Sequence, residues 1–291
     1  MGARPEWLRV RAPKPEEAQE MRTVRDILAK HRLTTVCQGA LCPNAIECWG
    51  ARTATFMILG KVCTRACRFC AVPTGNPRGE LDRDEPRRVA EAVRELGLRY
   101  VVLTSVDRDD LADSGAETFA ATIRMIKEMD RSVRVEALVP DFRGDPGAIA
   151  TIAAAGADVL GHNLETVSRL TPLVRDPRAG YDLSLSVLAR IKELSPDTIT
   201  KSSLMLGLGE THDEIISALR DLRDVGVAIV TLGQYLQPTR SSYPVARYVP
   251  PDEFARLREE AHAIGFDYVV SGPYVRSSYH AAEAFAAVGR R

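Results

Sequence analysis

EPRRVAEAVRELGLRYVVLTS, residues 85–105, changes character at Gly97. A helical pattern over 85–97 stops on that glycine, and a short β-branched apolar run, RYVVLTS (99–105), follows it. The alternation continues in both directions. Further candidate strands are TFMIL (55–59), VRVEALV (133–139), ADVLGHN (157–163), TITKSSLML (198–206) and VAIVTLGQYL (227–236). Helical stretches at 115–129, 145–156, 181–194 and 211–226 lie between them, and Gly156 and Gly226 supply further stops. Strand–helix alternation of this length predicts an α/β fold of parallel strands with helices outside. It is either a six-stranded partial barrel or an open doubly wound sheet. Both place the active site at the C-terminal ends of the strands.

The flanks differ in texture. Residues 1–54 read as an N-terminal extension, polar and proline-rich at first. MRTVRDILAKHRL (21–33) offers an amphipathic helix with Val24, Ile27, Leu28 and His31 on one side. After residue 250 come a helix (252–264), a strand-like FDYVVSG (266–272) and a closing RSSYHAAEAF.

The 291 residues are 45% hydrophobic and 27% charged, ordinary for a globular protein. Lys plus Arg equals Asp plus Glu at 39 each, so charge gives no case for general nucleic-acid binding. No apolar run is long enough for a bilayer span. The first residues lack the apolar core of a secretory signal, and Glu6 stands where a myristoylation motif wants Ser or Thr. The expected location is the cytoplasm.

All six cysteines fall between residues 37 and 70, which reads as metal ligation rather than a disulfide framework. Cys63-Thr-Arg-Ala-Cys67-Arg-Phe-Cys70 directly follows the first strand, so its thiolates sit on a loop at the strand's C-terminal end. Three thiolates satisfy three irons of a [4Fe–4S] cluster and leave the fourth iron open to a small molecule. The alternative is structural zinc, which wants a fourth Cys or His, and no histidine lies near this triplet. Cys37, Cys42 and Cys48 form a second triplet, again one ligand short of a closed site. Thiolates alone do not separate zinc from iron–sulfur.

At these residues the sequence resembles the lipoyl synthases, a branch of the radical SAM (S-adenosylmethionine) enzymes. C-x3-C-x2-C at 63–70, with Phe69 before the last cysteine, is similar to the radical SAM signature. C-x4-C-x5-C at 37–48 is similar to the family's auxiliary-cluster motif. TSVDRDDL (104–111), HNLET (162–166), LMLGLGET (204–211), YLQPT (235–239) and GPYVRSSYHA (272–281) extend the resemblance over nearly the whole chain.

The resemblance implies a partial (β/α)6 TIM-like barrel at 55–250. Residues 1–54 and 251–291 are then extensions carrying the auxiliary cluster. It implies two [4Fe–4S] clusters. Cys63, Cys67 and Cys70 hold the one that binds SAM through its open iron. Cleavage of SAM yields a 5′-deoxyadenosyl radical that takes hydrogen from an octanoyl chain on a lysine of a lipoyl carrier protein. Sulfur enters at carbons 6 and 8, supplied by the auxiliary cluster, which is consumed. The implied auxiliary ligands are Cys37, Cys42, Cys48 and Ser277. A serine alkoxide is a hard ligand on a soft-ligand cluster and suits a cluster that must be dismantled. The other reading of Arg276-Ser277-Ser278 is a cap on the last helix. Arg240-Ser241-Ser242-Tyr243 repeats the four letters where the family more often shows His and Leu before Pro-Val. Ser241 is the fallback ligand.

For SAM itself the resemblance points to Asn163 and Glu165 in HNLET, to Met205 with Gly207 and Glu210, and to Phe69 against adenine. Asn163 and Glu165 also fit a helix cap and first-turn acid. Gly207 and Gly209 make no dinucleotide-binding fingerprint. Asp107, Arg108, Asp109 and Asp110 either line the site or face solvent, and Lys61, Arg65 and Arg68 either favour anions or are loop charges. His162 and His280 have no partner at metal spacing. Implied partners are the octanoylated carrier, a low-potential electron donor and an iron–sulfur assembly or carrier protein, with no nucleic acid and no membrane. Two other readings compete. One is another radical SAM enzyme with an auxiliary cluster, such as a methylthiotransferase or a peptide-modifying enzyme. The other is a non-catalytic zinc or iron–sulfur scaffold.

Overall fold

A computed structural model describes residues 5–9, 12–36, 44–50 and 55–289. Among the described residues eight strands form one sheet in strict sequence order: β1 (Thr34–Thr35), β2 (Thr55–Ile58), β3 (Tyr100–Ser105), β4 (Arg134–Leu138), β5 (Val159–Gly161), β6 (Ile199–Leu206), β7 (Ile229–Gln234) and β8 (Tyr268–Gly272). Every pairing from β2 to β8 is parallel; only β1 runs antiparallel, against β2. Sequential order without reversal is barrel topology, because a doubly wound sheet would switch direction partway.

All six expected strands are present as β2–β7. The strand-like 266–272 becomes β8 and adds a seventh parallel strand beside β7. The two-residue β1 carried no pattern of its own and exists through its pairing with Met57 and Phe56. The first helix runs Pro15–Lys30, starting earlier than periodicity alone suggested. Pro15 at the first helical position, Glu16 and Glu17 in the first turn, and the Lys14 amide donating to Glu17 (2.8 Å) start it there. Val24 and Leu28 are buried and Ile27 packs beside them.

The outward sides of β2–β5 bury Phe56, Ile58, Val101, Leu103, Val135 and Ala137 against Val89, Phe119, Ile123 and Ile152 of the covering helices. β6–β8 do the same with Leu204, Val230, Leu232 and Val269 against Ile215, Leu219 and Phe254. The inward-facing positions are different in kind. Tyr100, Glu136 and Lys201 meet there: Lys201 donates to Glu136 (2.8 Å), and the Tyr100 hydroxyl donates to its other oxygen (2.7 Å). Helix Ala281–Val288 packs Ala281, Ala284, Phe285 and Val288 on Tyr100, Ile199, Ile229 and Tyr268, the first residues of four strands. The chain's last helix thus closes the end of the barrel where the strands begin. The opposite end is left to the loops. Among the described residues no helix is long and apolar enough to cross a membrane.

Candidate active site

The loop after β2 carries Cys63, Cys67 and Cys70. It doubles back on itself, with the Cys63 amide on Pro73 O and the Gly75 amide on Cys63 O, both 2.9 Å. Each sulfur accepts a backbone N–H: Cys63 from Arg65 (3.4 Å) and Asp107 (3.3 Å), Cys67 from Asp176 (3.3 Å), Cys70 from Val72 (3.4 Å). Such bonds stabilise thiolate and tune a bound cluster. Burial works the other way, pushing Cys63 to about 11 and Cys67 to about 12 and raising Cys70. As thiolates, these three residues therefore need a cationic partner, which is the chemistry of metal ligands. Among the described residues no group of three or more His, Cys, Asp and Glu side chains converges on a single ion. A cube of irons takes one thiolate per iron and does not need such convergence.

Buried charges hold the loop. Arg65 is 4% exposed and binds Asp109 (3.0 and 2.9 Å) and Asp141 (2.5 and 2.7 Å), with Asp107 at 3.5 Å. Burial opposes its charge, and the Asp141 and Asp109 bonds more than restore it. Arg178 joins Asp109, Asp176 and the Thr64 carbonyl. Arg108, also buried, reaches Leu59 O, Glu80 O and Asp110. The charged run 107–110 therefore works as a frame, and only Asp107 opens on the cleft beside the loop. Burial raises Asp107 to about 6, against the pull of Arg65.

That cleft is lined by Cys67, Phe69, Thr104, Ser105, Asp107, Pro140, Asp141, His162, Asn163, Glu165 and Arg175, among others, all from the C-terminal ends of β2–β5 or the loops beyond. Phe69, Asn163 and Glu165 thus share one cleft, and Asn163 Nδ2 donates to Glu165 (3.1 Å). Glu165 has φ 69°, a strained value for a side-chain-bearing residue, and its carboxyl is raised by burial. Met205 is not among the lining residues; it is the penultimate residue of β6, partly buried against the core, and its amide bonds Glu165 O (2.9 Å). Glu210 accepts the amides of Gly207 (2.6 Å) and Leu208 (2.9 Å), closing the turn after β6. Gly207 has φ 96°, and a Cβ there would lie 2.4 Å from Arg247 O, so only glycine fits.

Arg175 and Asp141 of this wall escaped the sequence reading, and Ser105 stood in the run TSVDRDDL without a role of its own. Arg175 and its neighbour Asp176 lie in PLVRDPRAG (172–180), whose charges among Pro and Gly, between the strand at 157–163 and the helix at 181–194, were the available signal. Arg175 is 7% exposed, and among the described residues its Nε has no hydrogen-bond partner; nor does Ser105 Oγ. A buried guanidinium with an open N–H fits a carboxylate ligand. His162 has both nitrogens engaged, by Val139 O and Ser184 Oγ (2.9 Å each), and Ser184 also accepts from Arg175 (2.7 Å). Burial lowers it to about 4, so it is a neutral strut.

Comparison with known proteins accords with this geometry. The Radical SAM superfamily profile matches residues 57–222. Lipoyl synthase of Thermus thermophilus is 59% identical over 97% of this chain and 86% of its own length. Lipoyl synthase of Pyrobaculum arsenaticum is 58% identical over 98% and 96%. The chain belongs to the lipoyl synthase family of radical SAM enzymes. Among solved structures, SuiB of Streptococcus suis bound to its precursor peptide superposes with a TM-score of 0.58 at 12% identity, covering 90% of this chain and 55% of that one. Methylornithine synthase gives 0.53 at 14%, covering 88% and 85%. These two likenesses concern the fold alone.

The second cysteine group of this lipoyl synthase family member is visible in part. Cys37 and Cys42 lie outside the described residues. Cys48 is half-buried on the short helix Ala45–Gly50. That helix meets the C-terminal RSSY segment: the Tyr279 hydroxyl donates to Glu47 (3.1 Å), His280 lies 3.3 Å from Glu47, and Asn44 donates to Tyr274 O (2.7 Å). Burial, then Glu47 and Cys48, push the Tyr279 phenol up to about 12. Ser277 sits in the turn two residues before Tyr279. The last helix is capped at His280 with no side-chain cap bond, so Arg276-Ser277-Ser278 is not its cap. Ser241 bonds Thr239 (3.0 Å) in an exposed loop after β7.

Proposed function

We propose that the chain inserts two sulfur atoms, at carbons 6 and 8, into an octanoyl group carried on a lysine of a lipoyl carrier protein. The observation that carries this reading is the Cys63–Cys67–Cys70 loop opening on a cleft walled by Asn163, Glu165 and Arg175. In this reading 55–250 does the radical chemistry, and 1–54 and 251–291 supply the auxiliary ligands Cys37, Cys42, Cys48 and Ser277.

Cys63, Cys67 and Cys70 would hold a [4Fe–4S] cluster that would pass one electron from the low-potential donor to SAM, giving methionine and a 5′-deoxyadenosyl radical, and Cys37, Cys42, Cys48 and Ser277 would hold a second that would supply the sulfur. The chain's residues do the rest. The N–H bonds to the three sulfurs add to the pull of the bound irons in keeping them thiolate. Arg175 offers its open N–H to the methionine carboxylate. Asn163 and Glu165 face the amino and ribose groups, and Phe69 covers the adenine side. The Tyr279–Glu47 contact keeps Ser277 beside the Cys48 helix. The carrier, the electron donor and an assembly protein that renews the auxiliary cluster are the partners this chemistry needs, in the cytoplasm.

Anaerobic reconstitution followed by iron and sulfide counting tests it. About eight irons per chain are expected. Cys37→Ala keeps SAM cleavage and loses sulfur insertion, whereas Cys63→Ala loses both. Tightly bound zinc with no SAM cleavage under a low-potential reductant overturns the proposal, and lipoyl product from Cys37→Ala overturns the sacrificial role of the second cluster.

A further inference from the structure

Arg240-Ser241-Ser242-Tyr243, the second copy of the four letters, has no part in the proposed ligand set, yet it touches the first cysteine loop. Arg68, between Cys67 and Phe69, is held from two sides. Its amide donates to Val174 O and its carbonyl accepts from the Tyr243 amide, both 2.8 Å. Its guanidinium donates to Leu173 O (3.1 Å) and lies 5.1 Å from the Tyr243 ring centroid. Tyr243 is itself anchored. Its carbonyl accepts from the hydroxyl of buried Tyr235 (2.7 Å), and Gln237 donates to the preceding Ser242 O (2.9 Å).

The peptide groups on both sides of Arg68 are therefore fixed by loops from β5 and β7, strands that do not carry the cysteines. The next two residues are Phe69, which lines the cleft, and Cys70. A cation over an aromatic ring adds attraction without restricting either backbone bond. Small displacements of groups that orient a reactant are expensive in rate and binding. We propose that Arg68 and Tyr243 are positioning residues: they hold the Phe69–Cys70 side of the cysteine loop in the register that SAM binding requires. This rests on the reading of the loop as the SAM-binding site.

The test compares iron–sulfur-loaded wild type with Tyr243→Ala, Tyr243→Phe and Arg68→Ala. Amide hydrogen exchange over 63–75 is followed together with KM and kcat for 5′-deoxyadenosine formation. Tyr243→Ala is expected to speed exchange over 63–75, with 116–129 unchanged. It raises the SAM KM about five- to tenfold, with kcat within about twofold. Tyr243→Phe keeps ring and backbone and restores both readouts. Arg68→Ala keeps the backbone bonds, loses the ring contact and the guanidinium bond to Leu173 O, and moves both readouts at least as far as Tyr243→Ala. Wild-type exchange in Tyr243→Ala overturns the proposal, as does faster exchange with an unchanged SAM KM. Should Tyr243→Ala not fold, Arg68→Ala decides by the same two readouts. A wild type that never cleaves SAM refutes the functional reading instead, and the exchange comparison still judges the clamp.

Discussion

Arg65 and Asp141 join the first cysteine loop to the end of β4 through paired bonds of 2.5 and 2.7 Å, with side chains 3% and 0% exposed. A bidentate guanidinium–carboxylate pair at this depth is specific in geometry but conditional, because each charge is tolerable only while the other is there. Asp107 and Asp109 crowd the same guanidinium, so removing Arg65 takes the cation from Asp141 and Asp107 and leaves Asp109 to Arg178 and Thr64.

Arg65→Met is therefore expected to destabilise the protein by about 3–5 kcal/mol. Thermal unfolding of the reconstituted protein measures the loss, and iron content shows whether the loop still holds its cluster. Arg65→Lys recovers only part of it, since an ammonium cannot fork to Asp141 and Asp109 together.

Arg175→Met removes the open N–H of the cleft. Loss of one charge-assisted bond to a carboxylate, about 1.5–3 kcal/mol, raises the SAM Kd roughly 10- to 100-fold. Equilibrium binding of SAM to the reconstituted, unreduced protein reads this directly. An unchanged Kd means that Arg175 serves only Ser184 and His162.

His162 is neutral in the fold, lowered to about 4 from an ordinary value near 6.5. The unfolded chain binds the extra proton between those values. This contribution to stability is thus complete above pH 6.5 and is lost as pH falls toward 4. His162→Gln lacks the effect. Its stability gap to wild type is expected to shrink by about 2–3 kcal/mol between pH 7.5 and 4.5, measured by urea unfolding.

Gly233 in β7 faces the segment that leads to Ser277. A Cβ there would lie 2.1 Å from the Val275 carbonyl oxygen, so Gly233→Ala must push that segment away. The expected outcome is loss of the auxiliary cluster with SAM cleavage kept, so that iron falls from about eight to about four per chain. Retention of all eight would show that Ser277 reaches its place by another route.

The strands, the helices between them and the cysteine triplet were legible in the sequence because their signals are local. Periodicity, glycine stops and thiol spacing all act within a few residues. Local signals also placed the cysteine loop at a strand's C-terminal end, since it follows TFMIL directly. Barrel or open sheet was not local; it depended on the order in which β2–β8 pair. The same limit hid β8 as a barrel strand and the last helix as the closure of the barrel.

The site divides in the same way. Its cysteines, Asn163 and Glu165 stand in recognisable runs. Arg65 reads in sequence as one loop charge among several. Only folding brings Asp107, Asp109 and Asp141 around it and buries Arg65 and Asp141. Arg175 lies twelve residues past Asn163 with no motif to mark it, and only the fold buries its Nε without a hydrogen-bond partner among the described residues. The two RSSY copies are identical in letters. What separates them is position: one follows β8 back into the barrel beside the Cys48 helix, and the other stays on the β7 loop against Arg68. Sequence spacing determined which residues can be ligands. The tertiary structure decided which residues hold them, because burial, charge pairing and loop contact all depend on distances that chain order does not encode.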